Sequence, residues 1–158
     1  MKYLLLVSTL FLAACAQPNN QNPPQAVTQD ETLLSIAQNV YENLHELGSN
    51  PRPLSTISFA IESNSNTTQL AVCYRWANGD AKIAFKPETL MNYTRHEVEG
   101  IMLHELGHCA LNLEHDDRMI AAPNDPGYSM PATIMNTYFY KYWWNNYTDY
   151  YYQEMAGH

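Results

Sequence analysis

The run His104-Glu105-Leu106-Gly107-His108 constrains this chain more than any other stretch. Residues four apart share a helix face, so on a helix His104 and His108 can grip one ion. Neutral imidazole suits zinc, which favours nitrogen and sulfur donors in a tetrahedral shell. Glu105 follows His104 by about 100° round the helix, so it can lean over the ion without ligating it. A general base that takes a proton from a zinc-bound water would sit there. Three fixed residues also arise by chance, and two histidines on one face can simply be solvated, so the context decides.

The flanks supply that context. Thr94 followed by Glu97 reads as a capping box that starts a helix. Val98, Met102, Leu106, Cys109, Ala110 and Leu113 recur at helical spacing on the side away from His104 and His108, which marks a core stripe.

The run continues Cys109-Ala110-Leu111-Asn112-Leu113-Glu114-His115-Asp116. With Pro131-Ala132-Thr133-Ile134-Met135-Asn136 downstream, it resembles the metzincin zinc peptidases, whose pattern is H-E-x-x-H-x-x-G-x-x-H followed by a Met-turn. The glycine slot falls here on Leu111, and the third histidine slot falls on Glu114. The offset fits a helix one residue longer, in which Asn112-Leu113-Glu114-His115 stands for G-x-x-H. Asn is the usual substitute for Gly in a left-handed helix-ending turn, so Asn112 is expected at positive φ, with His115 returning as third ligand. Glu114 and Asp116 are the rival third ligands. The resemblance implies that Met135 lies beneath the three histidines as an apolar floor; a buried methionine by itself would mean only packing. Thr137 and Tyr138 follow Met135, and Tyr138 is assigned surface or packing work rather than zinc ligation.

The N-terminus carries a different signal. Lys2 precedes an apolar core over residues 3–12 that is too short to span a bilayer. Leu12-Ala13-Ala14-Cys15 resembles a bacterial lipobox. Residues 1–14 are therefore expected to be a lipoprotein signal peptide, with lipid on Cys15 as membrane anchor. Ala16 follows, rather than the Asp that by the same resemblance retains lipoproteins on the inner membrane, so an outer-membrane address is expected if the source is a diderm bacterium. Residues 15–27 are Asn-, Gln- and Pro-rich and read as a disordered tether. Residues 28–158 form one domain of ordinary size.

Within that domain, residues 28–47 read as an amphipathic helix opened by Thr28 and Glu31, with Leu33, Ile36, Ala37, Val40, Leu44 and Leu47 inward. Residues 54–61, 69–76 and 81–85 read as strands, the last two joined by a hairpin at Asn78-Gly79. Residues 116–129 read as a loop turning at Asp125-Pro126-Gly127, with Asp116 and Asp117 available to orient a ligand histidine. Residues 138–152 include ten aromatics, expected mainly to pack around a helix over 148–155. The expectation is an α+β fold: a small metzincin-like zincin domain with an N-terminal helix, a short mixed sheet with a hairpin, an active-site helix, the Met-turn and a C-terminal helix.

Cys73 and Cys109 could form a disulfide, since Cys109 faces the core and the expected compartment is oxidising. Alternation with Val72 and Tyr74 could equally turn Cys73 away. The formal net charge of −8 argues against nucleic acid as a partner, which would need clustered basic residues. The resemblance implies a zinc-dependent metalloendopeptidase acting on peptides or proteins, with zinc on His104, His108 and His115. The competing expectations are a non-enzymatic envelope lipoprotein with structural zinc and an aromatic binding surface, or a peptidoglycan-directed amidase.

Overall fold

A computed structural model describes residues 29–63 and 68–158. The leader, Cys15, the tether and Thr28 lie outside the described residues.

The first helix, α1 (Glu31–Glu46), is capped by Asp30, whose side chain accepts from the Leu33 N–H at 2.9 Å. The capping oxygen thus comes from Asp30 instead of the expected Thr28; it satisfies an otherwise orphaned first-turn donor. Leu33, Ile36, Ala37, Val40 and Leu44 are buried as their spacing requires. Leu47 is instead the C-cap and is 47 % exposed, because the helix ends before it can face the core.

Three strands follow. The expected strand over 54–61 begins only at Ile57, because Leu54–Thr56 forms a 3-10 turn behind Pro53. The turn is held by the Thr56 N–H and hydroxyl, which both donate to the Pro53 carbonyl at 3.1 and 2.8 Å. Strand β1 (Ile57–Ile61) pairs parallel with β3 (Ala81–Phe85), and β2 (Ala71–Arg75) pairs antiparallel with it, giving the order β1-β3-β2. The sheet is therefore mixed, and β2 forms one of its edges. The β2–β3 hairpin closes through Trp76 N–H to Asp80 O at 3.0 Å, with Gly79 at φ +92°, a conformation that costs glycine little.

A short helix α2 (Pro87–Asn92) opens on Pro87, and the Thr89 hydroxyl ties it to the Leu70 carbonyl at 2.6 Å. The central helix α3 (Arg95–Ala110) then starts as its sequence dictates. Thr94 Oγ1 accepts the Glu97 N–H at 3.2 Å, and Glu97 returns to the Thr94 N–H at 2.8 Å. The expected stripe is buried at Val98, Met102, Leu106 and Cys109. Gly100, Ile101, Leu103 and Gly107 are buried too, because α3 has the sheet, α1 and α4 packed around it. A Cβ on Gly100 would lie 2.6 Å from the Trp144 ring, so only glycine lets α4 approach this closely.

Residues 116–129 are not the expected plain loop. They contain most of a hairpin, β4 (Met119–Ala122) and β5 (Asp125–Pro131). Its register shifts between Ala121 and Ala122, whose partners are Ser129 and Asp125. The Asp125-Pro126-Gly127 signal falls in that irregularity, while residues 123–124 make the turn.

Helix α4 (Lys141–Ala156) begins seven residues before the expected start at Thr148, with a non-helical Tyr147 between its two halves. The Thr148 hydroxyl donates to the Trp144 carbonyl at 2.6 Å, a back-bond that bends helices. Trp144, Tyr151, Tyr152 and Met155 are buried, whereas Tyr138, Tyr140 and Tyr142 are exposed. The aromatic run thus divides between packing and surface. The architecture is α+β, and no helix among the described residues is long and apolar enough to cross a membrane.

Candidate metal centre

His104 and His108 lie one turn apart near the end of α3. Asn112 stands just beyond, at φ +59°, the one non-glycine residue at positive φ among the described residues. This is the left-handed turn its sequence position implies. The reversal lets the Leu113 N–H donate back to the Gly107 carbonyl at 2.9 Å and carries His115 to the other two histidines. His115 Nε2 lies 3.1 Å from His108 Nε2 and 3.3 Å from His104 Nε2. The rival donors are engaged elsewhere: Glu114 pairs with Arg75 and Asp116 with Arg118.

The tautomers follow from the backbone. His104 Nδ1 donates to the Ile134 carbonyl at 2.8 Å, and His108 Nδ1 donates to the Leu113 carbonyl at 2.7 Å. A carbonyl can only accept, so both Nδ1 atoms carry the proton and both Nε2 atoms present a lone pair. His115 Nε2 faces both and could donate a proton to only one of them. At least one contact between lone pairs is left, and a cation resolves it. Tetrahedral zinc with its usual Zn–N bonds sets neighbouring nitrogens about 3.3 Å apart, close to the spacing found here. The donor set therefore fits a metal ion held by His104, His108 and His115. Burial, and then the charge of His108, pushes the His104 pKa down to about 3, which keeps its ring neutral and available. Burial likewise lowers the His108 pKa.

Glu105 stays outside this group. It is buried, and burial pushes its pKa up to about 8 against the opposing pull of a hydrogen bond from the Cys73 backbone N–H. Cys73 and Cys109 form a disulfide with Cα atoms 5.8 Å apart, fastening β2 to α3 beside that carboxyl. The pairing geometry that alternation left open is thus resolved: Cys73 faces the helix.

Against α3 at Gly107, the Met135 N–H is held by the Thr133 hydroxyl at 3.0 Å, and the Met135 carbonyl accepts the Asp116 N–H at 3.0 Å. Met135 is buried, with its sulfur in the space a side chain on Gly107 would occupy. Asp116 and Asp117 do not orient a ligand histidine. Asp116 closes on Arg118, and Asp117 accepts the Thr137 N–H and hydroxyl at 2.7 and 2.9 Å, pinning the segment after Met135.

The three histidines and Glu105 open into a cleft of about 650 Å³. Leu70, Val72 and Arg75 from in and around β2 form one wall, and Asn136, Tyr138 and Phe139 form another. Sequence reasoning missed Arg75, whose only signal was its place at the end of a strand. It also missed the Ile134 and Leu113 carbonyls, because backbone acceptors leave no trace in side-chain patterns.

No family model, curated protein or solved structure matches this chain.

Proposed function

We propose that the protein is a metzincin-like zinc metalloendopeptidase. The observation that carries this reading is the convergence of three imidazoles with one buried carboxyl left over, at the floor of an open cleft. A purely structural zinc site is closed by a fourth protein ligand, whereas the cluster among the described residues numbers three. A structural site would also have no use for Glu105.

His104, His108 and His115 would hold the zinc. When bound, zinc supplies Lewis-acid chemistry, acidifying a water and polarising a carbonyl. The chain's own residues do the rest. Glu105 is the group that accepts a proton and returns it to the leaving amine; a dication beside it would favour its ionised form and offset the effect of burial. The Cys73 N–H fixes its orientation. The edge of β2 beside the cleft offers main-chain groups to an extended peptide. Carbonyls hold His104 and His108 in the tautomer that ligates, as the residues behind metal ligands commonly do.

On this proposal the enzyme belongs to the cell envelope, anchored to the outer membrane through lipid on Cys15 and facing either the periplasm or the surface.

The test is Glu105→Ala. The zinc-loaded protein should cleave an unfolded protein substrate, and the variant should keep its zinc while losing that cleavage. Persistent cleavage by the variant refutes the assignment. Release of peptides from isolated cell wall, with unfolded protein left intact, would mark the amidase instead.

A further inference from the structure

The last carbonyls of a helix have no partner within it. At the end of α3 three of them find partners outside it. Gly107 O accepts the Leu113 N–H at 2.9 Å, Ala110 O accepts the Arg52 N–H at 3.1 Å, and His108 O accepts Arg75 Nη1 at 3.4 Å. Arg75 reaches this point from the end of β2. Its Nη1 also donates to Asn112 Oδ1, and its Nη2 donates to Glu114 Oε1 at 3.2 Å. One guanidinium therefore holds the carbonyl of the second histidine, the side chain of the residue at positive φ, and the neighbour of the third histidine.

We infer that Arg75 is the positioning residue for the third metal ligand: its fork fixes the turn between residues 108 and 115 so that His115 meets His104 and His108. This rests on the reading of the three histidines as a metal site. Arg75 has no place among the three histidines and acts on His115 through the segment it grips. The planar fork matters, because Lys could not reach three acceptors from one rigid head. The identity of Asn112 also acquires a reason. Gly would adopt positive φ with less strain, but it would offer Arg75 no acceptor. The contact to Glu114 contributes least, since that carboxylate is 65 % exposed and solvent screens the pair.

The experiment measures Zn²⁺ affinity by competition with a chromophoric chelator for the wild type, Arg75→Gln, Asn112→Gly, their double variant and His115→Ala. Thermal unfolding of the metal-free proteins is followed in parallel. Arg75→Gln should weaken zinc by about tenfold or more, as loss of a group supporting a ligand commonly does. Asn112→Gly should weaken it less. The double variant should bind no more weakly than Arg75→Gln alone, because the contact that Asn112→Gly removes is already lost in Arg75→Gln. Metal-free melting temperatures should stay within a few degrees of the wild type. Wild-type affinity in Arg75→Gln, or full additivity in the double variant, overturns the inference. His115→Ala separates the two levels: if it leaves affinity unchanged, the metal-site reading itself fails. If it weakens zinc while Arg75→Gln does not, only the role of Arg75 fails. Should Arg75→Gln not fold, Arg75→Lys decides, since it keeps the charge without the fork and is expected to lose affinity; wild-type affinity there overturns the inference.

Discussion

A Cβ built on Gly107 would stand 2.3 Å from the sulfur of Met135. The residue between the two helical histidines thus lacks a side chain so that the methionine can lie directly against the helix. The same turn delivers the Ile134 carbonyl to His104 and the Met135 carbonyl to the Asp116 N–H. Packing and the orientation of the His104 ring are therefore one mechanical unit.

Gly107→Ala should accordingly harm both. Ala is the better helix former by about 1 kcal/mol, but overpacking a filled core costs about 1–3 kcal/mol. We expect a net loss of about 1 kcal/mol in chemical denaturation, with weaker zinc binding as the turn is pushed from His104. Gly107→Ala combined with Met135→Ala should relieve the clash and recover part of the zinc affinity. A wild-type melting curve and zinc affinity in Gly107→Ala would contradict this packing.

The bond between Cys73 and Cys109 closes a loop with a sequence separation of 36. Removing it should lower stability by about 4 kcal/mol in the chain-entropy description. Intact mass spectrometry of the unfolded protein before and after reduction should show a gain of two hydrogens. Urea titration of the Cys73→Ala/Cys109→Ala variant should show the lost stability. An unchanged mass, or an unchanged denaturation midpoint, would argue against the bridge.

The capping box at Thr94 gives a pH signature. The hydrogen bond from the Thr94 backbone holds the Glu97 carboxyl below its ordinary pKa of 4.5. Its folded pKa lies below its unfolded one, so its contribution is fully present above about pH 4.5 and is lost as pH falls through the folded value. Glu97→Ala should therefore be less stable than the wild type at pH 7. The gap in denaturation midpoints should narrow toward pH 3. A gap that stays constant or widens on acidification would rule out this linkage.

Much of the site was legible because it is written in local geometry. His104 and His108 are four apart, Thr94 and Glu97 are three apart, and Asn112 stands where a helix must reverse. Each of these signals is short-range and depends on one residue type at one offset. What escaped depends on distant partners or on weak patterns. Helix α2 is only one and a half turns long and carries no apolar stripe. The β4–β5 hairpin is missed because Met119, Ile120 and Ala121 are all exposed, so no alternation marks the strand. The start of α4 at Lys141 is hidden because Tyr147 and Thr148 interrupt its periodicity. Arg75 could not have been found from sequence, since its partners lie 33 to 39 residues away and one is a backbone carbonyl.

The central claim is that His104, His108 and His115 hold one zinc ion with a coordination position left open above Glu105. X-ray absorption at the zinc edge, on protein loaded with one equivalent of zinc, tests it most directly. The account predicts three imidazole nitrogens and one water-type oxygen around the metal, with one imidazole lost in His115→Ala. A shell closed by a fourth protein side chain, or one unchanged by removal of His115, would contradict it.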